Sequence, residues 1–318
     1  MRYRPLGQSG LLVSVVGLGC NNFGGRLDVE GTRAVVNAAI DAGITLFDTS
    51  DTYGESGGGS ERALGEILGS RRDQVVLATK FGGRGVDMGY GPAAGAKGGR
   101  AYIRRAVTES LRRLRTDYVD LYQQHVPDPV TPVQETLAAL HELVAEGKVR
   151  YIGHSNFSGW QLADAAHLAA RNGHTPFISA QNHWSLLERQ AEAEVVPAAR
   201  HFGLGVLPYF PLANGLLTGK VRQGRPIPAG TRLVGRQGYV TEGKLAKVEA
   251  LITWAQEHGV TLLETAIGAL AAQPGCSSVI AGATSAEQVK ANAAAADWTP
   301  SEAELAEIDA IAPPPQAP

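Results

Sequence analysis

The 318-residue chain carries 29 Lys and Arg against 31 Asp and Glu, a formal net charge of -2, with 44% hydrophobic and 19% charged residues. This balance excludes the basic surface of a nucleic-acid binder, and no apolar run reaches the roughly 18 residues of a membrane helix, so neither nucleic acid nor a membrane is an expected partner. The start Met1-Arg2-Tyr3-Arg4-Pro5 has no apolar signal segment, so a cytoplasmic protein is expected.

The chain opens with a β-hairpin over residues 3–14, turning at Gln8-Ser9-Gly10. Val15 to Gly19 reads as the first buried strand. A helix over 29–42 places Val35, Val36, Ala39 and Ile40 on one face and stops at Gly43. The second strand runs into Leu46-Phe47-Asp48, and a helix starts near Ser60. The third strand covers 74–80. A helix over 101–115 and a strand over 118–125 follow, then a helix over 131–146 and a strand over 149–155. Further along come a helix over 158–171, a strand over 178–183, a helix over 189–201 and a strand over 205–209. Helices over 243–258 and 261–272 precede the last strand, 278–281, a helix over 285–296 and a terminal helix over 301–311.

Eight strands alternating with helices, with no linker-like break, predict a single α/β (β/α)8 TIM barrel over residues 1–312, with an N-terminal β-hairpin, a C-terminal extra helix and a disordered tail at 313–318. The long stretches 82–99 and 212–238 both follow strands. Both are therefore assigned to the C-terminal face, where barrel active sites sit. Cys20 and Cys276 match no metal spacing and are expected as reduced core thiols.

Four ionisable residues fall on the same predicted rim. Asp48 ends the second strand, Lys80 the third and His125 the fourth, and Tyr53 lies one turn beyond Asp48. A phenol titrates near ~10 and is a poor acid unless a cation sits beside it. Lys80 is the candidate cation, Asp48 its orienting partner, and His125 the group that polarises a carbonyl or relays a proton. Each residue alone also has an ordinary structural reading: a turn cap, a packed loop tyrosine, a solvated strand end and a core histidine. Their shared rim carries the argument.

The motifs Phe47-Asp48-Thr49-Ser50-Asp51-Thr52-Tyr53-Gly54, Ala78-Thr79-Lys80-Phe81-Gly82 and Asp120-Leu121-Tyr122-Gln123-Gln124-His125 occur in that order. They are followed by Gly153-His154-Ser155-Asn156-Phe157, Gln181, Gly215-Leu216-Leu217-Thr218-Gly219-Lys220 and Ile280-Ala281-Gly282-Ala283-Thr284. From about Tyr3 to Trp298 the sequence resembles the aldo-keto reductase family, including its bacterial NADP-dependent oxidoreductases. The resemblance implies a nicotinamide cofactor, usually NADPH, and a catalytic tetrad at Asp48, Tyr53, Lys80 and His125 with the tyrosine as general acid. It implies that Ser155, Asn156 and Gln181 hold the carboxamide and that Tyr209 stacks on the nicotinamide ring. It assigns the pyrophosphate to Pro211, Leu212, Asn214 and Gly215 with Lys220 adding charge. The adenosine end falls to Gly282, Thr284, Gln288 and Asn292, at a helix N-terminus suited to phosphate. Gly19 and Asn21 complete the cofactor set.

The sequence departs from that pattern where many members carry Lys and Arg for the 2′-phosphate, since Gly282 and Gln288 stand there. The expected cofactor is NADPH, with NADH as the alternative. Trp184 stands where a tyrosine is common and is read either as a pocket wall or as a packed barrel-wall residue. His154 alternates with Ser155 and is expected to point away from the lumen. The expected partner is a small-molecule carbonyl substrate; oligomeric state is left open.

Three other readings compete with this one. A Rossmann dehydrogenase would use Gly17-Leu18-Gly19, but Asn22 occupies the third glycine position. A metal-dependent hydrolase would use His125, His154 and His183, but no His-x-His pair opens the chain, and no metal is expected. A nicotinamide-binding regulatory subunit, like the potassium-channel β subunits of the same fold, would keep the tetrad without using it for turnover.

Overall fold

The computed structural model describes residues 1–315. The predicted tail is therefore described only as far as 315, and 316–318 lie outside the described residues. Strands β1 (Tyr3–Pro5) and β2 (Leu12–Ser14) form the antiparallel hairpin, with Tyr3 opposite Ser14. Eight parallel strands follow: β3 (Val16–Gly19), β4 (Leu46–Asp48), β5 (Val76–Phe81), β6 (Val119–Gln124), β7 (Val149–Ser155), β8 (Phe177–Gln181), β9 (Gly205–Val206) and β10 (Val279–Gly282). They lie side by side in chain order, with β10 paired to β3. Single parallel bridges, Val206 to Cys276 and Tyr209 to Ile280, bring the last edge round to the first. This is the predicted (β/α)8 barrel.

The hairpin plugs the N-terminal end. Leu6 and Val13 pack with Leu46, Ala78, Leu121, Leu207 and Ile280, which point inward from five strands or strand ends. That leaves the opposite mouth as the open end. The outer layer comprises α1 (Val29–Asp41), α2 (Gly59–Leu68), α3 (Arg100–Leu114), α4 (Val133–Ala145), α5 (Gly159–Asn172), α6 (Val195–His201), α7 (Glu242–Glu257), α8 (Leu262–Ala272), α9 (Ala286–Ala295) and α10 (Glu302–Ile311). Local chemistry sets their ends. Asp28 accepts from Gly31 N at 2.8 Å to start α1, and Ser158 with Gln161 forms a reciprocal capping box on α5; such caps contribute about 1 kcal/mol each.

Two predicted elements are markedly shorter than the sequence implies, whereas others differ by a few residues at their ends. The strand expected over 205–209 keeps only Gly205–Val206, because Pro208 has no N–H to give a ladder. The helix expected over 189–201 splits into a turn at Gln190–Glu192 and α6, whose first turn holds Pro197, a residue that an uninterrupted helix from 189 would not tolerate.

Strand alternation aims the rim side chains. Along β5, Thr79 faces the helices and donates to Glu61, so Lys80 faces the lumen. Along β6, Tyr122 stacks on Phe81 at 4.9 Å in the outer layer, so Gln123 faces inward.

Candidate active site

Asp48, Lys80, Tyr53 and His125 meet at the open mouth. The turn that carries Tyr53 is tied to β5, with Thr49 N donating to Ala78 O and Asp51 N to Lys80 O. It closes at Gly54, whose φ of 83° and contact with Gly24 O leave no room for a side chain. His125 is held at the end of β6 by its own N–H on Phe81 O and by Asn156 Nδ2 on its carbonyl.

Lys80 is fully buried and donates to Asp48 Oδ2 at 2.7 Å, to Thr49 O at 2.9 Å and to Tyr53 Oη at 3.5 Å, using all three of its protons. The other oxygen of Asp48 accepts from Gln181 Nε2 at 2.9 Å and Gln123 Nε2 at 3.3 Å. Burial pulls the Lys80 pKa down, but the Asp48 carboxylate and the Tyr53 hydroxyl outweigh it, and the net shift is upward. Lys80 is a cation throughout the neutral range.

Burial outweighs the lowering of the Tyr53 pKa by Lys80 that the sequence suggests. Burial raises it, Lys80 opposes and Asp48 reinforces, and the phenol ends above its ordinary value. At neutral pH Tyr53 therefore holds its proton, with a fixed ammonium beside it for any phenolate that forms. His125 stands edge-on to Tyr53, ring centroids 5.7 Å apart. Burial, then Lys80 and Lys97, push its pKa to about 3, so it is a neutral imidazole. Its Nδ1 lies 3.1 Å from Ser50 Oγ.

These residues head a cavity of about 860 Å³. Asp48, Tyr53 and His125 line it, whereas Lys80 sits behind them. Every residue assigned by resemblance to the cofactor lines the same cavity: Gly19, Asn21, Ser155, Asn156, Gln181, Tyr209, Pro211, Leu212, Asn214, Gly215, Lys220, Gly282, Thr284, Gln288 and Asn292. Some of their polar groups have internal partners. Asn156 Oδ1 accepts from Tyr209 Oη at 2.8 Å, and Gln288 Oε1 accepts from Thr284 N at 2.9 Å, folding that side chain back on the start of α9. His183 stacks on the Tyr209 ring at 5.4 Å and 13°.

Trp184 is not in the cavity wall. It is fully buried in the main core and donates from Nε1 to Glu192 at 2.7 Å, so the pocket reading gives way to the barrel-wall one. His154 points outward, as alternation requires, and stacks on Phe157 at 4.4 Å. His125, His154 and His183 are not gathered, and among the described residues no group of three His, Cys, Asp or Glu is placed to hold a metal.

Sequence reasoning assigned Lys220 in the 212–238 segment but missed the arginine that the same segment brings to the cavity. The segment crosses the cavity, with Thr231 and Arg232 in its wall. Arg232 Nη2 donates to Asn21 Oδ1 at 3.1 Å and Asn22 Oδ1 at 3.0 Å, and its guanidinium lies 5.3 Å over the Phe210 ring. Arg26 donates to Gly230 O, and Arg236 to Asn214 Oδ1. All three arginines are met by neutral acceptors. Burial, then Arg236 and Arg26, lower the Arg232 pKa, the mark of positive charge gathered without a carboxylate. The available signal was arginine recurring in a long Gly- and Pro-rich loop on the active face.

Among the described residues no helix is long and apolar enough to cross a membrane. The chain matches the family described as "Aldo/keto reductase family" over residues 15–313. It is 39% identical to the "Uncharacterized oxidoreductase YrpG" of Bacillus subtilis, over 91% of this chain and 89% of that protein. It is 37% identical to a "Probable voltage-gated potassium channel subunit beta" of Oryza sativa subsp. japonica, over 94% and 92%. It is 34% identical to the "L-glyceraldehyde 3-phosphate reductase" of Escherichia coli, over 97% and 92%. The barrel, the rim constellation and a match across nearly the whole chain lead to one conclusion: this protein belongs to the aldo/keto reductase family.

Proposed function

We propose that the chain is a cytoplasmic NADPH-dependent reductase that converts a small aldehyde or ketone, sugars and keto-sugars included, to an alcohol, with Tyr53 as general acid. The observation that carries this reading is the buried series Asp48–Lys80–Tyr53, with spacings of 2.7 and 3.5 Å, ending at a cavity of about 860 Å³. A bound nicotinamide supplies the hydride. Tyr53 gives its proton to the oxygen of the reduced carbonyl, and the Lys80 ammonium stabilises the phenolate left behind, itself held charged by Asp48. His125, neutral, offers a ring nitrogen to the same oxygen.

The donor set fits the cofactor. Gln181 Oε1 and the second lone pair of Asn156 Oδ1 remain for an amide's N–H groups, and Tyr209 offers an aromatic surface. Backbone groups over Pro211–Gly215 with Lys220, and the N-terminus of α9 with Gly282, Thr284, Gln288 and Asn292, would take the phosphates and adenosine. NADPH is favoured over NADH because Arg232 and Arg26, which line the cavity, have no carboxylate partner among the described residues and so offer charge to an extra phosphate. Tyr53→Phe tests the assignment: cofactor should still bind while turnover falls by at least ~10²-fold.

A binding role without turnover is the second reading, favoured by the similarity to proteins named as potassium channel β subunits. Cofactor bound tightly, with no oxidation across an aldehyde and ketone panel, would support it.

A further inference from the structure

Two consecutive residues of the Tyr53 turn, Ser50 and Asp51, are not used by the mechanism above. Ser50 and Asp51 are both fully buried, and Asp51 Oδ2 has no hydrogen-bond partner among the described residues. Ser50 Oγ lies 3.2 Å from Asp51 Oδ1 and 3.1 Å from His125 Nδ1. A single hydroxyl thus links a sealed carboxyl to the imidazole at the cavity mouth. His125 Nε2 has no partner among the described residues and is the ring nitrogen left for the cavity.

We propose that Asp51, Ser50 and His125 form a proton relay in which the protonation of Asp51 sets the tautomer of His125, and with it whether Nε2 presents a proton or a lone pair to the reacting oxygen. Ser50 and Asp51 are positioning residues in this scheme, acting through the imidazole.

Counting donors and lone pairs fixes two states. Ser50 Oγ has one proton and two lone pairs, and Thr52 N–H occupies one lone pair at 3.2 Å. When Asp51 is a carboxylate, Ser50 donates to it and accepts from His125 Nδ1–H, so Nε2 carries a lone pair. When Asp51 is neutral, its Oδ1–H donates to Ser50, Ser50 donates to Nδ1, and Nε2 carries the proton. The Thr52 hydroxyl, 3.0 Å from Ser50 Oγ, rotates to suit either state. Conversion balances: one proton enters from solvent at Nε2, the Nδ1 proton passes to Ser50, and the Ser50 proton passes to Asp51. His125 ends neutral and Asp51 has gained the proton. The first state suits accepting a hydrogen bond from an alcohol, the second donating one to a carbonyl.

The charges around the relay allow both states. Asp51 faces Glu61 on α2, Arg113 and Tyr102 on α3, Lys97 and Tyr90 in the 82–99 segment, and Tyr122 on β6. Burial and then Glu61 raise its pKa to about 7, with Ser50, Arg113 and Lys97 opposing. His125 faces Lys80, Lys97 and Tyr53, and burial, then Lys80 and Lys97, keep it neutral while Asp51 titrates.

The inference rests on the reductase reading for its use, but the tautomer is measurable without turnover. The experiment is nitrogen NMR on the full chain with labelled histidine, the His125 signals among eight histidines being assigned by their loss in His125→Asn. Between about pH 5.5 and about pH 8.5, the protonated ring nitrogen of His125 should move from Nε2 to Nδ1. Ser50→Ala and Asp51→Asn should each abolish that exchange, and Ser50→Thr, which keeps the hydroxyl, should restore it. A tautomer constant across the range in wild type, or an exchange that persists in Ser50→Ala, overturns the relay. Ser50→Ala removes one oxygen from a small buried residue, so it remains decisive should Asp51→Asn not fold. Absence of turnover on any carbonyl would sink the reductase reading and leave this result standing.

Discussion

Gln181 commits its amide N–H to Asp48, Nε2 to Oδ1 at 2.9 Å, and so belongs to the ion-pair network as well as to the cavity wall. The carboxylate that orients Lys80 is itself oriented from a strand on the far side of the lumen. Gln181→Leu removes a hydrogen bond to a buried charge and should destabilise the fold by about 1.5–3 kcal/mol. It should also weaken NADPH binding, because Oε1 is lost. Urea unfolding and fluorescence titration check the two effects separately.

Lys80→Met leaves Asp48 buried beside two amides with no cation. Removing one partner of such a pair costs roughly 3–5 kcal/mol, offset in part here by the Gln181 and Gln123 hydrogen bonds. Carbonyl reduction should collapse as the nascent phenolate loses its ammonium. A variant with full rate and an unaltered pH profile would remove Lys80 from the mechanism.

Arg232→Ala should weaken NADPH at least ~10-fold, or about 1.4 kcal/mol, and NADH much less. Equal losses for both cofactors would mean that the guanidinium does not read the extra phosphate. Parallel binding titrations decide it.

The buried Asp51 carboxyl makes stability depend on pH with a definite sign. Its pKa rises from 3.8 to about 7 on folding. Below 3.8 both states are protonated and folding gains or loses nothing from it. Between 3.8 and about 7 the unfolded chain ionises while the folded chain keeps its proton, so stability falls as pH rises, and the penalty is complete above that window. Relative to wild type, Asp51→Asn should therefore grow more stable from about pH 4.5 to about pH 7.5, read as a rising difference in urea midpoint.

The barrel was legible because its signals are local and repeated: apolar strands spaced by capped amphipathic helices. The rim was legible because alternation and strand ends alone place Asp48, Lys80 and His125 at one mouth. What escaped depends on three-dimensional partners. The upward shift of Tyr53 follows from burial, which a sequence does not display. Trp184 has the composition of a pocket wall and of a core residue alike, and only its bond to Glu192 separates them. Arg232 reaches the cavity through hydrogen bonds to Asn21 and Asn22, more than two hundred positions away in the chain, and no local pattern announces a contact of that span.

The most direct test of the central claim sets wild type beside Tyr53→Phe, measuring NADPH binding and NADPH oxidation with a panel of small aldehydes and ketones. Wild type should turn over, cofactor affinity should be unchanged in the variant, and the variant's rate should fall by at least ~10²-fold. Oxidation by the variant at the wild-type rate would contradict Tyr53 as the acid, and tight binding with no turnover by wild type would contradict the reductase itself.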